Sequence, residues 1–176
     1  MAPFSSTRNV QAISGCTTAL LLPFLLTVQP TSAKADCHIA PSNLVPNRTG
    51  SQCVWVTLES IARHWGMTDL YNLHNNLGTS GPGEVARVMI ARHRHIYWSP
   101  EGKQDWQSLA NASANHWPVG VGLRGTHMLL LVDLTQTHAT IIDNGGQKSG
   151  QRQVWTREYF ASAWDGWFVT LDPEQK

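Results

Sequence analysis

The sequence predicts an α+β domain, and the change in its apolar periodicity partway along the 176 residues carries that prediction. Between Ser51 and His116 apolar residues recur at helical spacing, whereas from Val119 onward they fall into short strand-like runs bounded by Gly, Thr or Gln. Helices first and mostly antiparallel strands later is the α+β pattern. The length suits one domain, and an apolar content of 41% with eight tryptophans supplies a sizeable core, since each indole buries about 150 to 250 Å². Only 14% of the residues are charged and the formal net charge is +1, which leaves no electrostatic case for binding nucleic acid or an anionic membrane.

Residues 1–35 read as a secretory signal peptide. Arg8 precedes an apolar run from Thr17 to Val28, and Ala33-Lys34-Ala35 is a small-residue cleavage pattern with the cut after Ala35. The run is well short of the roughly 20 residues that span a bilayer, so no integral membrane segment is expected once the signal is removed. Ile13-Ser14-Gly15-Cys16 imitates a lipoprotein box, but here the apolar region follows the cysteine instead of preceding it. The expected location is therefore secreted or periplasmic, with Cys37 and Cys53 remaining in a compartment where disulfides persist.

Residues 36–50, with Pro41 and Pro46 among turn formers, read as an irregular N-terminal arm, and 51–176 as the folded domain. Val54, Leu58, Ile61 and Trp65 recur at helical spacing behind Ser51, and Gly66 stops that helix, leaving Cys53 in its first turn. A polar connection from Asn72 to Gly81 follows, then a second helix over Pro82 to His93, a strand at Ile96-Tyr97-Trp98 and a third helix over Asp105 to His116. Strands are expected at Val119–Leu123, His127–Leu134 and His138–Asp143, and Gly145–Gly150 is a loop. Thr156 caps a last helix that includes Tyr159, Phe160 and Trp164, and Trp167–Leu171 closes the chain as a strand.

A cysteine in the first turn of a helix meets partial positive charge and open backbone N–H groups, which favour thiolate over thiol. As a nucleophile, Cys53 also needs an imidazole to pair with and a third group to hold that imidazole. His127 begins one expected strand and Asp143 ends the next; in an antiparallel pair those two ends are neighbours. Cys53, His127 and Asp143 can thus meet.

These residues carry a resemblance. Cys53 behind Gly50-Ser51-Gln52, His127 opening the apolar strand Met128-Leu129-Leu130-Leu131-Val132, and Ile141-Ile142-Asp143-Asn144-Gly145 together resemble the papain-like cysteine peptidases. Within them the chain is most similar to the bacteriocin-processing branch, the double-glycine leader peptidases at the front of some exporters, and to free-standing secreted relatives. The order Cys, His, Asp, the intervals between them and the ending Trp164-Asp165-Gly166-Trp167 all fit, over roughly Asn47 to Leu171. The resemblance implies a papain-like fold, Cys53 as nucleophile, His127 as general acid and base, Asp143 as its orienting group, and a peptide or protein substrate. The family places a Gln six positions before the cysteine to donate to the oxyanion; this chain has Asn47 there, one methylene shorter, with Gln52 as a substitute donor.

Other readings of the same residues stay open. A Cys37–Cys53 disulfide would close a loop of about 15 residues, worth about 3 kcal/mol, and would make this a non-catalytic binding or structural domain. Asn144, the residue type that plant papains use to orient the histidine, competes with Asp143. An acyl transferase, in which an amine or thiol captures the thioester, is a third possibility. His93 and His95 sit among Arg92 and Arg94, which repel a cation, so neither metal nor cofactor is expected. Asn47-Arg48-Thr49 and Asn111-Ala112-Ser113 match the short glycosylation pattern, the tryptophans read as core, and a monomer is expected.

Overall fold

The computed structural model describes residues 37–77, 81–99, 102–115, 118–146 and 149–174; the signal-peptide reading of residues 1–35 lies outside them. Helix α1 (Cys53–Trp65) is followed by a short α2 (Leu73–Asn76) and by α3 (Pro82–Ala91). The strand β1 (Ile96–Ser99) and helix α4 (Trp106–Asn115) come next. Then follow β2 (Val119–Leu123), β3 (His127–Leu134), β4 (His138–Ile142), β5 (Arg152–Thr156), α5 (Arg157–Ala163) and β6 (Trp164–Leu171). The six strands form one sheet in the order β1-β6-β2-β3-β4-β5, antiparallel at each pairing.

Helices cover both faces of this sheet. The run Met128 to Val132 has no polar alternation because β3 is central: Met128, Leu130 and Val132 pack with α1 and α3, while Leu129 and Leu131 pack with α4 and α5. Helix α1 is buried along Val54 to Ala62, and Trp55, next to the cysteine, is fully enclosed core. Its close seat on the sheet needs Gly120 in β2, where a Cβ would stand 3.1 Å from both Thr57 Cγ2 and Met128 Sδ. Gly66 ends α1 in the left-handed conformation at φ 70°, accepting the role that its missing Cβ suits.

Residues 37–50 contain a 3-10 turn at Pro41–Asn43 and are tied to the domain. Cys37 N–H donates to Val132 O at 3.0 Å, Val45 N–H to Ser60 Oγ at 2.9 Å, and Asn47 N–H to Asn144 O at 2.6 Å. Ile39 and Val45 are buried in consequence.

Besides the short α2, which forms inside the expected polar connection from Asn72 to Gly81, two features depart from the sequence reading. Trp164 opens β6 instead of continuing the last helix, which stops at Ala163 once its N-cap, Thr156 Oγ1, has accepted from Tyr159 N–H at 3.2 Å. The Trp164 indole N–H then donates to Trp167 O at 2.9 Å, and Gly166, at φ 96°, lets the strand pass against the backbone of Lys103. The second is β5, an edge strand whose residues alternate between exposed and half-buried, with Val154 69% exposed. Its ladder to β4 defines it, not an apolar pattern.

Candidate active site

Cys53 is the first residue of α1, where the leading backbone N–H groups have no partner within the helix. His127 opens β3 after a tight turn in which Arg124 and Gly125 both take positive φ, 51° and 68°. Asp165 fixes that turn, its Oδ2 accepting from Gly125 N–H at 2.8 Å and its Oδ1 from Trp167 N–H at 2.9 Å. Asp143 follows β4, and its Oδ1 accepts from His127 Nε2 at 3.0 Å and from Gly145 N–H at 2.8 Å. The other ring nitrogen is left for Cys53, with which His127 is hydrogen-bonded.

The electrostatics follow from that chain of contacts. Burial alone would push the Cys53 thiol up, but the His127 contact and the Met128 and Val54 backbone N–H groups outweigh it, and the thiol is held below its ordinary range. The hydrogen bonds to Asp143 and Cys53 push His127 up to about 9 against the desolvation that would lower it. Asp143 resists burial in the same way and stays low through His127 and Gly145 N–H. A thiolate beside an imidazolium, backed by a carboxylate, is the arrangement these shifts describe. It opens on a cleft of about 350 Å³ whose lining includes Gly50, Ser51, Thr126, Asp165 and Trp167.

The remaining candidates separate clearly. Asn47 is 8% exposed and its Oδ1 accepts from Gly50 N–H at 3.0 Å and Gln52 N–H at 3.4 Å, so the amide is oriented with its oxygen on the loop and its NH₂ directed elsewhere. The Asn47 Cβ, His127 Cε1 and Asp143 Oδ1 all lie within 3.9 Å of the position a Gly145 Cβ would take. Gln52 is a correction: its amide NH₂ donates to His74 O and its Oε1 accepts from Thr49 Oγ1 at 3.1 Å, so it serves the loop and not an oxyanion. Asn144, the competitor of Asp143, turns inward, 3% exposed, with Nδ2 donating to Ser60 Oγ at 3.2 Å; Asp143 is the partner of His127. The alternative Cys37–Cys53 disulfide is also overturned. Both residues are thiols, and Cys37 Sγ lies 3.7 Å from His64 Nε2 while Cys53 faces His127.

Sequence reasoning passed over two acids that shape this region. Asp165 braces the turn before His127, and Glu59, fully buried in α1, binds Arg63 and His74. Glu59 was concealed because a carboxylate within the apolar stripe of a helix reads as solvent-facing until its partners are known.

The architecture is that of the papain-like fold. A solved structure described as a double glycine motif protease from an AMS/PCAT transporter, in complex with the leader peptide, shares it at a TM-score of 0.59 over 78% of this chain and 94% of that chain, at 10% identity. In sequence, no protein-family model matches and no curated protein does.

Proposed function

We propose that the protein is a papain-like cysteine hydrolase that cleaves a peptide or related amide bond through a Cys53 thioester. The observation that supports this best is the continuous contact from Asp143 through His127 to Cys53 at the head of α1, beside an open cleft. The Cys53 thiolate adds to the scissile carbonyl carbon, and the negative charge moves onto the carbonyl oxygen. The Cys53 backbone N–H, the helix N-terminus and the Asn47 NH₂ are the donors for that oxyanion. As the tetrahedral adduct collapses, His127 gives its proton to the departing amine nitrogen and the C–N bond breaks, leaving the acyl group on Sγ. His127 then takes a proton from water, the hydroxide displaces Sγ, and a carboxylic acid and the thiolate–imidazolium pair are restored.

An extended peptide is the substrate class, by analogy with the leader peptide bound to the structural neighbour. With residues 1–35 removed as a signal, the enzyme acts outside the cytoplasm. Incubating residues 36–176 with a mixture of defined peptides tests the reading by mass spectrometry. New peptide termini and an acid-trapped acyl adduct on Cys53, both absent in Cys53→Ala, are the expected result. Cleavage that persists in Cys53→Ala, or no adduct and no cleavage, overturns it.

A further inference from the structure

A second cleft of about 460 Å³ lies on the other side of the loop that carries Cys53, lined by Arg48, Thr49, Gln52, Arg63, His74 and Asn75 among others. Two of its lining residues, Arg63 and His74, are held by Glu59, whose carboxylate is completely buried. Glu59 Oε1 accepts from Arg63 Nη2 at 2.8 Å and from Nε at 3.1 Å, and Oε2 lies 2.6 Å from His74 Nδ1. The Arg63 guanidinium also stacks over the Tyr71 ring, 5.0 Å from its centroid. Arg63 is therefore braced from two sides and yet remains 31% exposed, with donors left over for a ligand. Arg48 makes no side-chain bond among the described residues and adds a second guanidinium to the lining.

We infer that this cleft is a subsite for a carboxylate side chain of the peptide substrate, held by Arg48 and Arg63 next to the catalytic cleft. The buried Glu59 does not cancel the attraction, since its charge is spent holding Arg63 and His74 in place and two arginines stand against one acid. The position supports a peptide in preference to a loose ion: Thr49 and Gln52 line this cleft, whereas Gly50, Ser51 and Cys53 line the catalytic one. The two linings alternate along the one segment from Arg48 to Val54. The subsite thus reads an Asp or Glu a short, fixed distance from the scissile bond. This deepens the hydrolase reading, on which the word substrate rests.

Two measurements test it separately. In the first, ¹⁵N-labelled Cys53→Ala protein is titrated with N-acetyl-tetraglutamate amide, with the tetraglutamine counterpart and with sodium sulfate. Amide shifts at Arg48, Thr49, His74 and Asn75 with the acidic peptide, weakened roughly fivefold or more by Arg48→Glu and by raised salt, are expected. Equal shifts with tetraglutamine, equal shifts with sulfate, or none at this cleft overturn the assignment whether or not the enzyme cleaves anything. In the second, kcat/KM is compared for peptide pairs that differ by Glu against Gln at each position around the bond. One position should favour Glu by roughly fivefold to tenfold, and Arg48→Glu or Asn75→Asp should remove that ratio. A flat ratio at every position defeats the subsite while leaving the hydrolase intact, and absence of cleavage defeats the hydrolase alone.

Discussion

Two cysteine–histidine pairs occur among the described residues, and what stands behind each imidazole separates them. Cys53 meets His127 at the start of α1, and Asp143 holds the far side of that ring at 3.0 Å. Cys37 meets His64 at 3.7 Å near the end of α1, where no carboxylate bonds to the imidazole among the described residues. His127 is pushed up to about 9, while burial pushes His64 down, so the first imidazole is a cation near neutral pH and the second is neutral. The helix adds to the contrast, because its N-terminus favours an anion and its C-terminus does not. Proximity of thiol and imidazole is therefore not enough; the acid behind the ring and the end of the helix decide which sulfur is activated.

The largest way to break this contrast is to remove the activated pair. Cys53→Ala and His127→Ala should each lower kcat by about 10⁴ or more, read by the cleavage assay. Asp143→Asn comes next, with an expected loss of about 10² to 10⁴, and it also has a pH signature. In the native protein kcat/KM should fall on the alkaline side near pH 9, where His127 loses the proton that the leaving amine needs. Without the carboxylate the imidazole returns toward its ordinary value of about 6.5, so the alkaline limb should move to lower pH.

Linkage gives the same change in stability. A histidine raised by its partners contributes stability that is complete below about pH 6.5 and lost as the pH rises through about 9. Urea titrations across that window should show native protein losing more stability than Asp143→Asn does.

The oxyanion donors sharpen the comparison within the first pair. Asn47→Ala should cost about 10² to 10³, mostly in kcat, because the proposed role of its NH₂ is to meet charge that appears only in the transition state. Gln52→Ala should cost less than about 10-fold, since its amide is already spent on His74 O. The reverse ranking would mean that the loop rearranges when substrate binds. The smallest effect is expected from Cys37→Ser, with kcat/KM within about threefold of native, which a larger loss would contradict.

Much of this was legible in the residues because pattern and packing agree there. Val54, Leu58, Ile61 and Trp65 mark α1, and the unbroken run after His127 marks a strand buried on both faces. Antiparallel geometry alone pairs Asp143 with His127. What escaped was set by tertiary contact. Asp143 and Asn144 are adjacent and both could orient a histidine, and only the inward seat of Asn144 on Ser60 separates them. Gln52 reads as available in the sequence, but its amide donates to the backbone carbonyl of His74, carried on the short α2 that the polar composition hides. β5 escaped because an edge strand with Val154 in solvent has no apolar rhythm to read.

The most direct test of the activated pair is the rate at which iodoacetamide modifies each cysteine of the unreduced residues 36–176 at about pH 5.5, located by peptide mass. Fast labelling at Cys53, slow labelling at Cys37, and loss of the difference in His127→Ala are predicted. If both cysteines stay slow at that pH and gain reactivity together only near the ordinary thiol value of about 8.5, or if neither reacts until a reductant is added, the thiolate–imidazolium pair does not exist.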